Sequence, residues 1–400
     1  MSLALLLRLQ LMVFLHYFVW SCWYVTMGTY TTVQLHFEGT QVGLLYGTTA
    51  VGALVSPFIV GIIADRFFAT QRILAFLHFV GAALLYWVST LKDFGMFYPV
   101  LIAYTVTYMA GHGLTNALTL HHSKNPAKEF PLVMFMASVG WIVAGLVVNW
   151  LQFTDNAGMF RLAAGAALVM GIYSLTLPHT PPKGANTPAS LGALLGFDAL
   201  KLMRDRSFAT FMICSFLICI PLSFYFSWMH VFMTELKVQD AAAKMTLGQV
   251  SDVVFLLMLP ALLPRLGVKG ILLLGIGAWT LRFGLFALFQ QHPDSLWMLF
   301  VGILLHGMCY DFIFVMGRMY VDKRAAEDIR AAAQGLHAVF TLGAGMFVGS
   351  WLSGIVAQKY THGTTHDWQP IWLIPAAMAA VMVVIFALLF KDKGEAAPAK

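Results

Sequence analysis

Long apolar runs alternate with short polar breaks along the whole chain. Twelve runs can be marked, at about 5–33, 41–63, 72–90, 96–120, 130–152, 159–178, 207–233, 245–263, 270–290, 295–317, 332–357 and 370–390. Each meets the ~17–25 residues that a helix needs to cross a bilayer. The longest polar interruption runs from His179 to Arg206, contains Pro181, Pro182, Lys183, Pro188 and Lys201, and divides the runs six and six. The expected fold class is therefore an all-α membrane protein of twelve transmembrane helices in two pseudo-symmetric six-helix bundles. The expected domains are an N-terminal bundle over 1–178, a cytoplasmic linker over 179–206 and a C-terminal bundle over 207–400.

The polar breaks also carry orientation. With the N-terminus inside, the inside segments hold 18 of the 24 Lys and Arg residues. The outside segments hold five (Lys92, Arg161, Lys237, Lys244 and Lys359), and Arg282 lies within a run. Basic residues concentrate in cytoplasmic loops, so both termini and the linker are expected to be cytoplasmic. Two of these inside turns echo each other: Gly61-Ile62-Ile63-Ala64-Asp65-Arg66-Phe67 after run two, and Pro264-Arg265-Leu266-Gly267-Val268-Lys269 after run eight. Gly61 and Ala64 permit close helix approach, and Asp65 can cap a helix or pair with Arg66. The turn is either a plain charged turn or a gating latch.

Composition sharpens the class. The chain is 60% hydrophobic and 10% charged, where a soluble domain carries about 25% charge. Most of its surface therefore meets something other than water. Its net charge of +6 follows from inside loops and forms no nucleic-acid-binding patch. Cys22, Cys214, Cys219 and Cys309 all sit in apolar runs without a CxxC spacing, which argues against a disulfide framework or a metal site. His362, His366 and Asp367 share one short loop, too small a set to predict a metal. No cofactor is expected. No cleavage-site pattern follows the first run, which reads as a span and not as a removed signal peptide.

The chemistry lies in the few polar residues deep in apolar runs. Of 18 acidic residues, only Asp252 and Asp311 are well inside a run, Asp311 within "LLHGMCYDF" at Leu304–Phe312. A carboxylate at that depth is costly and marks a functional site by default. Desolvation and a nearby cation act on its proton in opposite senses, so either Asp can carry a proton, or form a fixed ion pair with Arg282. Two carboxylates and one Arg leave one carboxylate to titrate. Gln249 and Asp252 share a helix face, as do His306 and Tyr310. Gln249 beside Asp252 could give bidentate hydrogen bonding to a polar solute, and Tyr310 offers an aromatic surface. Trp20, Trp23 and Tyr24 either line a cavity or sit at the membrane interface. His16, His78, His112 and His337 are isolated in the sequence and read as packing or pore-lining residues.

Several stretches resemble the nucleoside:proton symporter family of the major facilitator superfamily. They are "GIIADRF", "TLPHTPP" at 176–182, "LLGFDAL" at 194–200, "MTLGQVSD" at 245–252, "LHGMCYDF" at 305–312, "YVDK" with "RAAAQG" over 320–335, and "DWQPIWLI" at 367–374. They run in collinear order along nearly the whole chain. The resemblance implies two bundles around a central cavity, alternating access, and proton-driven uptake of nucleosides or related small polar solutes across a bacterial inner membrane. It implies a substrate site near the bilayer midplane, a monomeric carrier, and no enzymatic activity. The family's site positions fall on Gln249, Asp252, His306, Tyr310 and Asp311.

The chain departs from the family at its N-terminal wall. Met134 stands where the family places a cation, Ser138 where it places Thr, and Ser223 and Phe226 where span-7 amides are found. These departures allow a less polar cargo, so an efflux transporter or a non-transporting sensor on the same scaffold is the alternative. An intramembrane aspartyl protease is disfavoured because Gly248-Gln249-Val250-Ser251-Asp252 lacks the required Gly-x-Gly-Asp. The charge asymmetry makes a direct prediction: in inside-out vesicles a membrane-impermeant maleimide labels Ser2→Cys, and in right-side-out vesicles it does not. Labelling from the outside would reverse the topology.

Overall fold

The computed structural model describes residues 1–59, 68–181 and 197–391. Helices occupy the places where the apolar runs predict them. The first half holds α1 (Leu3–Tyr24), α2 (Gly39–Ile59), α3 (Thr70–Val88), α4 (Phe94–His122), α5 (Pro126–Trp150) and α6 (Gly158–Ser174). After α7 (Arg206–Glu235) comes a 51-residue helical stretch, Ala241–Gln291. A straight helix of that length would reach about 75 Å, more than twice the hydrocarbon thickness. It breaks at Gly267, with φ 64° and ψ 176°, a conformation that a residue without Cβ adopts at low cost. The two arms, 241–266 and 268–291, are α8 and α9. Then follow α10 (Leu296–Arg324), α11 (Arg330–Lys359) and α12 (Trp368–Leu389). Among the described residues nine helices, counting Ala241–Gln291 as one, are long and apolar enough to cross a membrane. Gly158–Ser174 is a shorter apolar helix. The protein is an integral membrane protein.

Local chemistry sets several helix starts. Ser2 Oγ accepts from the Leu5 N–H at 3.3 Å, and Asp93 Oδ2 accepts from the Met96 N–H at 3.2 Å. These side chains satisfy amides that have no partner in the first turn. Asp205 accepts from the N–H groups of Ser207 (2.9 Å) and Phe208 (3.0 Å) at the start of α7, and pairs with Arg324 at 3.0 Å. Pro126 opens α5, where its missing N–H costs nothing.

The described residues form two compact units. The first draws on Met1–Leu191, Ser223–Gln249 and Phe347–His366, and the second on Gly192–Leu222, Val250–Met346 and Asp367–Lys400. In the first unit α1 packs on α5 and α6, α3 on α4 and α6, and α2 on α4. Its core joins Leu9, Met12 and Val13 of α1 to Leu74 of α3, Leu114 of α4, Val133 of α5 and Met170 of α6.

Two segments from the second half of the sequence, Ser223–Gln249 and Phe347–His366, also belong to the first unit. Small residues let them approach. A Cβ added to Gly43 of α2 would lie 2.4 Å from the Ser350 carbonyl of α11, and one added to Gly39 would lie 2.6 Å from the Gln358 amide. Gly28 meets the Ser227 carbonyl of α7 in the same way, at 2.6 Å. Lipid chains give apolar helices no hydrophobic reason to associate, so such contacts rest on close packing and hydrogen bonds. The bonds are present: Thr29 Oγ1 to His230 Nδ1 (2.6 Å), Gln358 Nε2 to Glu38 (3.0 Å) and Asn149 Nδ2 to Asp240 (2.8 Å). After α11 a two-stranded antiparallel ribbon, Thr361–His362 with Thr365–His366, brings His366 to Glu235 at 2.6 Å.

The α2–α11 seam makes a prediction. Gly43→Leu forces the backbones apart and destabilises the fold by about 1–3 kcal/mol. The thermal unfolding midpoint in detergent should fall, and Gly43→Ala should fall less. An unchanged midpoint for Gly43→Leu would refute the close contact.

Candidate functional site

Asp311 sits where the backbone of α10 is irregular. The helix runs as Leu296–Leu304 and His306–Tyr310, and then widens into a π-turn over Asp311–Val315. The Met316 N–H reaches back five residues to the Asp311 carbonyl. A single π-turn inside an α-helix is rare and favours functional positions, because it turns one side chain away from its regular register. Asp311 is only 4% exposed. Its Oδ2 has no hydrogen-bond partner among the described residues.

Three helices of the second unit meet here. Arg282 of α9 is fully buried, and its Nη1 donates to His306 Nδ1 of α10 at 2.9 Å. A guanidinium has no acceptor, so His306 Nδ1 holds a lone pair and the ring proton is at Nε2. The guanidinium carbon also lies 5.4 Å from the Trp279 ring centroid and 5.6 Å from that of Phe286, where ring faces favour a cation. Asp252 of α8 is within coulombic reach of both Asp311 and Arg282. Two further bonds hold the helices together. The Gly307 N–H donates to Ser251 Oγ at 2.9 Å, and Trp279 Nε1 donates to the Cys309 carbonyl at 3.2 Å. Gly307 is necessary for this packing, since a Cβ there would lie 2.4 Å from the Ser251 carbonyl. The Tyr310 ring lies 6.0 Å from His306 and 5.0 Å from Phe314. The structure thus brings Asp252, Asp311, Arg282, His306 and Tyr310 into one cluster.

Arg318, one residue past the apolar run at 295–317, is not among the site residues read from the sequence. In the structure α10 continues to Arg324, which puts Arg318 seven residues after Asp311 on the same helix, and Asp311 feels its charge. The signal available in the sequence was that i and i+7 share a helix face.

A second polar-aromatic cleft lies in the first unit. It is lined by Ser21, Val25 and Thr26 of the α1 segment, Trp141, Gly145 and Val148 of α5, Tyr225 and Phe226 of α7, and Ala242, Met245, Thr246 and Gln249 of α8. Gln249 and Phe226, both singled out from sequence, fall in this wall. Tyr24 packs on Phe226 at 5.4 Å, and Trp20 meets Trp141 edge-on at 5.2 Å. Trp23 is instead core, enclosed by Tyr104 and Phe160. Ser223 is buried in α7 and is not among the residues that line the cleft. Ser138 is half-buried on α5 and lies outside the cleft lining, and Met134 packs on the α1–α3–α4 core. The loop residues Gly61, Asp65 and Arg66 lie outside the described residues.

Three histidines that look isolated in sequence are not isolated in space. His16 of α1 joins His78 of α3 (Nδ1 to Nε2, 3.2 Å) and His112 of α4 (Nε2 to Nδ1, 2.8 Å). His337 does stand apart from this group, stacked on Phe211 at 5.5 Å in the second unit. Among the described residues no cluster of His, Cys, Asp and Glu could hold a metal ion.

The family described as Nucleoside H⁺ symporter matches residues 1–395. The Escherichia coli protein YegT is 36% identical over 96% of this chain and 93% of its own length. The xanthosine permease of Escherichia coli is 32% identical over 98% and 96%. A crystal structure of the nucleoside transporter NupG superposes with a TM-score of 0.88 at 30% identity, covering 97% of this chain and 100% of that one. The fold is that of the major facilitator superfamily.

The Arg282–His306 bond makes a stability prediction. His306→Leu removes an acceptor from a buried cation and costs about 1.5–3 kcal/mol, whereas His306→Asn retains an acceptor and recovers part of the loss. Chemical or thermal unfolding of the two variants checks this order, and equal stability of both would sink it.

Proposed function

The chain belongs to the nucleoside H⁺ symporter family, whose members are transporters and not enzymes, and on that premise we propose that it takes up nucleosides with protons by alternating access. The reading places it in a bacterial inner membrane as a monomer with both termini in the cytoplasm. Its moving parts would be the six-helix bundles 1–178 and 207–400. The observation that carries the reading is Asp311, a buried carboxylate on a π-turn, beside a second carboxylate and a buried arginine.

A carboxylate at membrane depth is tolerable when it is protonated or compensated by charge. Asp311 and Asp252 are close enough to disfavour two simultaneous negative charges. Arg282 compensates one charge and is fixed in place by His306. One proton therefore has a defined place on the acidic pair. In the proposed orientation α10 runs from the outside to the cytoplasm, and Arg318 lies about 10 Å beyond Asp311 along the helix. Arg318 thus places a positive charge on the cytoplasmic side of Asp311.

The cleft formed by Trp141, Phe226, Gln249 and Ser21 supplies ring faces and hydrogen-bonding groups suited to a base and a sugar hydroxyl. Its apolar majority accords with a site in which stacking contributes more than ion pairing. The seam joining α2 to α11 and Gly28 to α7 lies at the ends proposed to face outward. The alternating-access cycle requires it to open once per cycle. Small residues and single hydrogen bonds suit that requirement better than a wide interlocking core does.

Asp311→Asn is expected to abolish gradient-driven accumulation of radiolabelled uridine or xanthosine in proteoliposomes, while exchange of the same solute across the membrane persists. Full concentrative uptake by this variant would remove Asp311 from proton coupling. No uptake or exchange of either solute by the unaltered protein would overturn the nucleoside reading itself.

A further inference from the structure

The buried imidazoles of the first unit form a hydrogen-bonded chain whose direction can be worked out. His78 Nδ1 lies 2.9 Å from the Leu74 carbonyl. A carbonyl only accepts, so His78 carries its proton at Nδ1, and in the neutral ring Nε2 is an acceptor. His16 must then donate from Nδ1 to His78 Nε2, across 3.2 Å. This leaves His16 Nε2 as an acceptor for His112 Nδ1–H at 2.8 Å. The neutral chain therefore has one order only, with every proton on Nδ1. It ends in a lone pair at His112 Nε2, for which no partner is found among the described residues.

The surroundings are built for these rings. A Cβ on Gly111 of α4 would lie 2.8 Å from His16 Cε1 and 3.6 Å from His78 Cε1, so the glycine makes room for both. Tyr108 stacks on His16 at 4.6 Å and 10°, and its hydroxyl donates to the His16 carbonyl at 2.8 Å. His16 and His78 are buried, and His112 is half-buried, with Tyr17 at 5.1 Å and Trp20 at 5.2 Å from its ring. The titratable groups facing the chain are Tyr17 from α1 and Tyr108, backed by Tyr104, from α4. α3 adds none besides His78. The charged groups of α5 and α6 lie at their ends: Lys128 and Glu129 in the first turn of α5, with Glu129 on the Met1 ammonium, and Arg161 in the first turn of α6. The charge interactions of the three rings are with one another.

We propose that His78–His16–His112 is a proton-binding site of the N-terminal helices that takes one proton through His112 Nε2. An added proton makes His112 an imidazolium that donates from both nitrogens. Its Nδ1 proton can pass to His16 Nε2 as His112 keeps the new one. His16 can likewise pass its Nδ1 proton to His78 Nε2. The positive charge thus spreads over three rings beneath the Tyr108 face. The chain ends at the Leu74 carbonyl, which cannot relay a proton, so loading and unloading share the His112 end. A second proton is excluded by the same logic. Any two cationic rings would leave one N···N contact with an N–H on both sides, losing a hydrogen bond in a buried site. The site depends only on the imidazoles and not on the identity of the cargo.

Histidine-selective ¹⁵N NMR of the full-length protein in nanodiscs tests this between about pH 8 and pH 5. The expected result is that the three ring signals move together, with a single midpoint and one proton bound. His16→Gln breaks the chain, and the rings of His78 and His112 should then titrate separately. His112→Asn removes the entry, and the other two rings should no longer move in that range. Three distinct midpoints in the unaltered protein, or ring signals that stay fixed throughout, would overturn the site. The unaltered protein alone decides this, so the test survives a variant that does not fold.

Discussion

A charge carried into hydrocarbon has to be compensated from within the protein, and the geometry around Arg282 follows from that requirement. The guanidinium is fully buried, yet it has His306 as acceptor, two aromatic faces and a carboxylate within electrostatic reach. These partners come from α8, α9 and α10, so satisfying one charge fixes three helices. The Ser251–Gly307 and Trp279–Cys309 bonds flank the cluster and keep its register. Hydrogen bonds of this kind, made by neighbours of the buried charges, hold a functional constellation within a fraction of an ångström. Asp311 is the exception that the arrangement leaves adjustable. It stands on a π-turn, where the helix has already given up its regular hydrogen bonding.

Contacts away from the cluster obey a different rule. Apolar side chains gain little by leaving lipid for one another, so close approach has to come from residues with little side chain. Gly28, Gly39 and Gly43 provide it on one side, with Ser227, Ser350 and Gly354 on the other. Only a few hydrogen bonds reinforce these seams. The buried charge cluster is therefore the stiff part of the second unit, and the glycine seams are the part of the first unit best able to separate. A carrier needs both kinds of contact.

The imidazole chain gives the first unit a polar centre that its sequence seemed to lack. Met134, which replaces a cation expected from the family pattern, packs into the apolar core. The three histidines on α1, α3 and α4 supply the titratable group instead. In place of one fixed charge the unit holds three neutral rings able to share one proton.

Much of this protein was legible along the sequence. Among the described residues each apolar run coincides with a helix. Asp252, Asp311 and Arg282 could be recognised as charges at membrane depth, and the four-residue spacing of His306 and Tyr310 does bring their rings within 6.0 Å. These features are local, since periodicity and run length report on the environment of one helix at a time. What only the tertiary structure decided was which helices share a partner. His16 meets rings 62 and 96 residues away, and Arg282 chooses His306 as its hydrogen-bond acceptor. The break at Gly267 and the continuation of α10 past Arg318 also escaped the hydrophobic pattern. The first is a single dihedral, and the second a polar extension of an apolar helix. Hydropathy fixes how deep a residue sits, whereas the rotation and tilt of each helix, set by its neighbours, fix what it touches.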